Sequence, residues 1–231
     1  MLQLCHPTES PVRQNDCPLF KSLSADEMLV LSQNARLRLM DRQQYLCLQH
    51  SPSDRVFNMA SGCAMVERIS NDGRRQVLAF VFAGDFIGLS NSEHYEYGIK
   101  CLTPSTAYEF KRKKLYELSE EIPTLKQNLK SLRSMILQLT FDQVYLLGQL
   151  NAYERVGYAI SHFLKRIPGA TPEHIELPMT RADIGDYLGL TVETVSRTLS
   201  RLKKDGLITT PSPTSIRIMD PESLTSLVNI E

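Results

Sequence analysis

The chain has no apolar run approaching the ~18 residues that a membrane-spanning helix needs. Its first residues, MLQLCHPTESPVRQNDC, have no basic start leading into an apolar stretch, so no secretory leader is read and a cytoplasmic protein with no membrane partner is expected. Neither charge is in excess: 26 Lys and Arg balance 26 Asp and Glu. The whole-chain charge therefore argues for no particular partner, and any electrostatic footprint must be local. The cysteines, Cys5, Cys17, Cys47, Cys63 and Cys101, include no C-x-x-C pair and are odd in number. Reduced thiols, several buried as small apolar residues, are the expectation. The histidines, His6, His50, His94, His162 and His174, are scattered without an H-x-H or H-E-x-x-H spacing. A metal-dependent enzyme has no ligand set here, and no catalytic residue or metal ligand is assigned.

The 231 residues suffice for one large or two smaller domains. Residues 1–18 are polar, contain prolines and show no period, the pattern of a flexible arm. A short amphipathic segment with Leu23, Met28, Leu29 and Leu31 follows, its first turn marked by Ser24-Ala25-Asp26-Glu27. From about Leu37 to Glu109, short apolar stretches such as VFNMA, CAMVERI and QVLAFVF alternate with turn chemistry such as HSPSD, SNDGR and FAGD. That spacing predicts an all-β sandwich or barrel. Then Leu125, Leu129, Leu132, Ile136, Leu139, Gln143, Leu146 and Leu150 step by fours and threes, a heptad seam with one polar member. A second apolar set, Met135, Val144 and Leu147, lies on the same helix. Two apolar faces favour one turned inward and the seam set on a second copy, against a helix packed only on its own domain.

After Asn151 come a helix (YERVGYAISHFLKRI), a Pro/Gly linker (PGATPEH) and a terminal unit from Leu177. TRADIGDYLGL opens with Thr180 as N-cap and Asp183 at capping-box spacing. TVETVSRTLSRLKKDG opens with Thr191 and ends with Lys203 and Lys204 before Gly206, chemistry suited to a helix C-terminus. Only Gly189 and its neighbours separate the two, the short turn of a helix-turn-helix. LITTPSPTSIRIMD then reads as a β-hairpin, or wing. In the second helix, Val192, Val195, Leu199 and Leu202 form the expected buried stripe. Glu193, Ser196, Arg197, Ser200 and Arg201 fall opposite. By spacing alone, Glu193 and Arg197 serve equally as an i,i+4 ion pair on a solvated face. The capped tandem helices and the wing favour DNA reading. A carboxylate accepts from cytosine N4 and a guanidinium forks onto guanine. Glu193, Ser196 and Arg197 are the candidate base contacts; Thr180, Thr191, Thr194, Ser200, Arg201 and Lys203 are the candidate phosphate contacts.

RADIGDYLGLTVETVSRTLSRLKKDGLI resembles the DNA-binding signature of the CRP/FNR family of bacterial transcription regulators, in particular the FNR and FixK branch, whose recognition helices carry E-x-x-S-R. SDRVFNMASGCAMVERISNDGRRQVLAFVFAGDFIGL is similar to the family's sensor β-roll, with Gly62, Gly73, Gly84 and Gly88 at its turns. The resemblance spans residues from about 19 to 220. It implies an α+β chain with a cyclic-nucleotide-binding-like β-roll (a jelly roll), a long dimerisation helix and a C-terminal winged helix-turn-helix. The expected boundaries are 1–18 for the arm, 19–120, 121–150 and 151–231. It further implies a homodimer on double-stranded DNA palindromes with TTGAT-type half-sites, and activation through contact with RNA polymerase by loops such as Ser70-Asn71-Asp72-Gly73. The family's nucleotide binders use a Gly-Glu and an Arg-Ser/Thr-Ala element. Here Gly88 precedes Leu89, and SNSEHYEYGIK holds Glu93 and Glu96 but no arginine, which argues against a cyclic nucleotide. The FNR branch holds an iron–sulfur cluster on four thiolates. This chain offers Cys5 and Cys17 in the arm, and Tyr108 stands at the position of the β-roll ligand. A cofactor-free regulator is the expectation; gating by redox, haem or an iron–sulfur cluster is the alternative, with Cys101 beside Lys100 and the lone His94 as weak candidates. His50 replaces the family's usual turn glycine, so that turn is expected to manage without an easy positive φ. The basic run Lys111 to Lys114 is expected just ahead of a helix, on a solvated face.

Overall fold

The computed structural model describes residues 17–90 and 92–227. They fall into two units: the described residues to Arg68 with Phe80–Gln138, and Ile69–Ala79 with the described residues from Leu139 onward. Most of the expected arm, with Cys5 and His6, lies outside the described residues.

Among the described residues of the first unit, Cys17 leads into a 3-10 turn, Pro18–Phe20. Then come α1 (Ala25–Gln33), β1 (Ala35–Met40), β2 (Tyr45–Cys47), β3 (Arg55–Ser61), β4 (Cys63–Ile69), β5 (Arg75–Phe82), β6 (Phe86–Ile87), β7 (Gly98–Cys101), β8 (Ser105–Lys111), α2 (Arg112–Glu121) and α3 (Pro123–Gln149), of which β5 as far as Ala79 and α3 from Leu139 onward belong to the second unit. Ser24 and Glu27 close a reciprocal capping box at α1. The strands form two four-stranded antiparallel sheets, ordered β1-β8-β3-β6 and β2-β7-β4-β5. Leu19, Leu31, Val56, Phe86, Phe110, Leu115 and Leu118 meet in one buried cluster. Two buried carboxylates of the strands are matched, as burial requires. Glu109 is held by Arg38 at 2.7 Å and Arg55 at 3.0 Å, and Glu67 accepts from the Tyr45 hydroxyl at 2.5 Å.

The expected heptad seam does not stay on one surface. Leu125, Leu129 and Leu132 belong to the buried cluster of the first unit. Leu146 is fully buried as well, Gln143 donates to the Tyr187 carbonyl at 2.9 Å, and Leu150 lies past the end of α3. The stripe left in water is Leu137, Phe141, Val144 and Tyr145, 50–65% exposed, flanked by Ile136 and Leu139. A heptad pattern says which residues share a face; it does not say whether the face meets its own domain or another chain. Two local expectations also change. Arg112, Lys113 and Lys114 form the first turn of α2 rather than preceding it. His50 itself adopts a left-handed φ of 66°, its amide donating to the Tyr95 carbonyl at 2.7 Å. The turn therefore keeps its shape with a non-glycine residue in a region that costs about 1–2 kcal/mol.

The second unit contains α4 (Ala152–Arg166), β9 (His174–Glu176), α5 (Arg181–Leu188), α6 (Val192–Lys204), β10 (Ile208–Thr209), β11 (Ser215–Ile218) and α7 (Pro221–Ser226). The wing is a three-stranded sheet, β10-β11-β9. Sequence reading placed His174 in a linker, because three residues are too short to show alternation. Tertiary pairing of Ile175 with Ile216, both buried, makes the strand. Helix α7, capped by Asp220, was likewise unforeseen; its Leu224 is buried, and Leu227 just beyond its end packs over Gly157.

His162 on α4 stacks on Tyr158 with ring centroids 5.9 Å apart. Burial, with Arg166 and Lys165 nearby, lowers its pKa from its ordinary 6.5 to about 4. The folded chain keeps the neutral ring while the unfolded chain takes up the proton. Stability is therefore expected to fall as pH drops from about 6.5 to about 4 and to level off below. Thermal melting across that range should show this dependence, reduced in His162→Gln.

Candidate nucleic-acid interface

Helix α5 is too short to persist alone, so its ends are fastened. At its start the Thr180 hydroxyl accepts from the Asp183 amide at 3.1 Å, and the Asp183 carboxylate accepts from the Thr180 amide and hydroxyl at 2.9 and 2.7 Å. At its end Gly189 takes φ 64° and reverses the chain. A Cβ on Gly185 would stand 2.7 Å from the Leu190 carbonyl oxygen. The turn between α5 and α6 therefore approaches α5 more closely than any side chain allows.

Helix α6 uses both faces. Val195, Thr198, Leu199 and Leu202 are buried. Val192, expected in that stripe, is instead 42% exposed; Thr198 occupies the interior, one position where a wheel cannot choose between a first-turn apolar residue and a later polar one. Glu193, Arg197, Ser200, Arg201 and Lys203 are exposed, with Ser196 and Thr194 half-buried beside them. Arg197 donates to the Thr194 hydroxyl at 3.4 Å. The Glu193 carboxyl lies below its usual range, first through its own backbone amide at the helix start, then through Thr191, with Arg197 a smaller contribution. It is thus an ionised acceptor. Arg201 lies over the Tyr153 ring, 4.5 Å from its centroid, and the Tyr153 hydroxyl donates to Asp205 at 2.7 Å. Arg197, Arg201 and Thr194 line an open groove with Asn151, Tyr153 and Leu227.

The expected phosphate contacts are not alike. Ser200, Arg201 and Lys203 stand free of the helix interior, although Ser200 donates to the Ser196 carbonyl. The Thr180 and Thr191 hydroxyls serve as N-caps. One residue was missed altogether: Arg181 donates to the Ser196 hydroxyl at 3.2 Å, which brings a second guanidinium to the reading face. Fifteen residues of separation and a turn hide that pairing in the sequence. Helix α6 presents a carboxylate, a hydroxyl, a guanidinium and an exposed valine, and α5 adds the Arg181 guanidinium, a combination of donors, acceptor and apolar contact suited to base edges in a major groove.

A Crp-like helix-turn-helix domain matches residues 154–227, and a cyclic nucleotide-binding domain matches residues 37–121. The transcriptional activatory protein AadR of Rhodopseudomonas palustris is 33% identical over 76% of this chain and 74% of its own length. The chain belongs to the CRP/FNR family of transcription regulators. Within that family it is FixK-like. The nitrogen fixation regulation protein FixK of Rhizobium meliloti is 33% identical over 77% of this chain and 80% of its own. The solved structure of FixK2 from Bradyrhizobium japonicum superposes with a TM-score of 0.80 at 28% identity, covering 85% of this chain and 98% of that one. This CRP/FNR chain is a DNA-binding transcription regulator of the activator type that these relatives represent, with the β-roll, long helix and winged helix-turn-helix of that fold. No helix among the described residues is long and apolar enough to cross a membrane.

The cofactors associated with CRP/FNR scaffolds meet poorly matched residues here. In the β-roll, Arg112 does bring a guanidinium to the segment after Gly88. It is committed to the chain's own oxygens: the Ser53 hydroxyl at 3.0 Å, the Ser92 carbonyl at 3.0 Å and the Ser90 carbonyl. Tyr95 is buried with its hydroxyl on the Arg55 carbonyl at 2.5 Å, and burial raises the Tyr97 phenol to about 12. A nucleotide phosphate would have to displace these bonds. For an iron–sulfur cluster, Cys17 is buried and accepts from the Asn58 amide at 3.2 Å, and Asn58 pairs across the sheet with Tyr108. Among the described residues no three of His, Cys, Asp or Glu gather as metal ligands. Cys101 is buried, and desolvation raises its thiol rather than activating it.

Replacing Arg197 by alanine is expected to cost about 1–3 kcal/mol on a specific duplex and to relax discrimination at one guanine. Equal weakening on specific and scrambled duplexes would make Arg197 a phosphate contact. Gly185→Ala should abolish specific binding while leaving the first unit's melting unchanged, measured by anisotropy and calorimetry.

Proposed function

We propose that this regulator acts as a homodimer on palindromes with TTGAT-type half-sites, needs no small-molecule cofactor to bind, catalyses no reaction, and activates transcription by touching RNA polymerase. The observation that carries the reading is the α6 face: Glu193, Ser196 and Arg197 stand together on the exposed side, with Arg181 and exposed Val192 beside them. Glu193 suits a cytosine amine, Arg197 a guanine, and Val192 a thymine methyl. Arg201, Lys203 and Ser200 suit the flanking phosphates, with Thr180, Thr191 and Thr194 contributing through whatever their caps leave. In a two-fold dimer the half-sites lie one helical turn apart, roughly 34–36 Å.

Dimerisation is assigned to the exposed stripe Leu137, Phe141 and Val144 of α3, at four- and three-residue steps, with Ile136 and Leu139 of the expected seam at its edge. A helix face this apolar and this exposed favours a partner helix. For polymerase, the turn Ser70-Asn71-Asp72-Gly73 is the candidate: exposed Asp72 is braced by the Ser70 hydroxyl at 2.5 Å and Arg74 at 2.7 Å. Among the described residues the thiols do not favour the redox alternative. Burial raises Cys17 to about 11 and Cys47 and Cys63 to about 12, away from the reactive thiolate.

Fluorescence anisotropy in air, at fixed salt and without added ligand, tests the reading on a TTGAT-N4-ATCAA duplex against a scrambled one. Selective binding is expected; equal binding to both would reject the half-site. Phe141→Glu should reduce the sedimentation coefficient to that of a monomer, and an unchanged value would reject the stripe as the interface.

A further inference from the structure

Ile69–Ala79 lies in sequence within the region matched to a cyclic nucleotide-binding domain, yet it is structurally part of the second unit. Two neighbouring residues of this segment bond to α5. Asp183 and Asp186 stand three apart on α5, on one face, and Arg75 meets both. Its Nε donates to Asp186 Oδ2 at 2.7 Å and a terminal nitrogen donates to Asp183 Oδ1 at 2.7 Å. The next residue, Gln76, donates its side-chain amide to the Asp186 carbonyl at 2.5 Å. The ion pair is not an ordinary surface one. The side chains of Arg75 and Asp183 are 26% and 9% exposed, and a guanidinium shared between two carboxylates is a directional, charge-assisted contact.

The same Asp183 carboxylate closes the α5 capping box through its other oxygen. The carbonyls that end α5 are taken by donors from three separate segments: Gln76 on Asp186, Gln143 on Tyr187 and Arg155 on Leu188. An eight-residue helix supplies few of its own bonds, so its placement depends on these fasteners. Its placement in turn sets α6, because the Gly185–Leu190 contact leaves no slack between them.

We infer that Arg75, reinforced by Gln76, is a positioning residue for DNA recognition: it clamps α5 through Asp183 and Asp186 and thereby holds α6 in its reading position. The inference rests on α6 being the element that reads DNA, and it adds a determinant of affinity that does not touch the duplex.

The test uses the full chain with Arg75→Gln, Asp186→Asn, the double variant and Arg74→Gln. Arg74 is the control: it is 85% exposed and pairs with Asp72 instead, and its loss removes the same charge. Asp186→Asn separates clamp from charge by sign. Removing a negative charge strengthens a purely electrostatic attraction to DNA, whereas loosening the clamp weakens binding. Arg75→Gln is expected to weaken binding to the TTGAT-N4-ATCAA duplex about tenfold and Asp186→Asn by up to as much, with the double variant no worse than Arg75→Gln, because that variant already removes the pair with Asp186. Arg74→Gln should stay within about twofold. Hydrogen exchange of the α5 amides, measured without DNA, should accelerate in the first two variants and not in the control. Unchanged or tighter binding by Asp186→Asn overturns the inference. So does Arg75→Gln matching Arg74→Gln, or α5 exchange that does not change. If the wild type fails to select the duplex, the half-site is at fault, and the exchange measurement still decides the clamp.

Discussion

The approach of α5 to the turn that follows it governs the working part of this protein. At Gly185 the Leu190 carbonyl lies where a side chain would be. Everything that the recognition helix presents is therefore registered against α5, and α5 is registered against what grips it. Its first turn depends on Asp183, which serves a cap and a guanidinium at once. Its last carbonyls depend on side chains reaching in from elsewhere. The exposed face of α6 is a small patch, and its placement depends on groups that lie away from that face.

Several polar groups of the β-roll are bonded to the chain's own residues. Arg112 converges on the segment after Gly88 and binds serine oxygens there. Tyr95 is buried and its hydroxyl donates to the Arg55 carbonyl. Buried Glu109 is neutralised by two arginines of neighbouring strands. The same economy governs the thiols, which burial holds protonated and which serve as small core residues.

Helix α3 illustrates how one pattern can be divided between tasks. Its first turns donate Leu125, Leu129 and Leu132 to the core cluster, and its middle leaves Leu137, Phe141 and Val144 in water. An apolar stripe of that extent is disfavoured on a free helix and is compatible with a second copy. The eight seam positions belong to one period but not to one environment.

Much of this was legible in the chain. The tandem capped helices, Thr180 with Asp183 and Thr191 ahead of Val192, are local chemistry. A cap needs only a residue and the amide three positions on, and a short glycine turn between them is local too. The strands of the β-roll were legible because short apolar stretches alternate with turn residues, and in β3 and β4 burial runs over consecutive residues rather than alternating. The outward set Glu193, Ser196 and Arg197 followed from the wheel of one helix. What only the tertiary structure decided were the matters of partner. The seam of α3 was periodic whichever surface it met, and packing alone sent Leu129 inward. Strand β9 was three residues long and exists because Ile216 lies beside Ile175. Arg181 beside Ser196, Arg112 over the serine carbonyls and Arg75 across from Asp183 and Asp186 are pairings of charge or polarity over 15 to 111 residues. A sequence states which residues can form such bonds. Chain closure decides which of them meet, because a long polar side chain has many possible partners in one dimension and few in three.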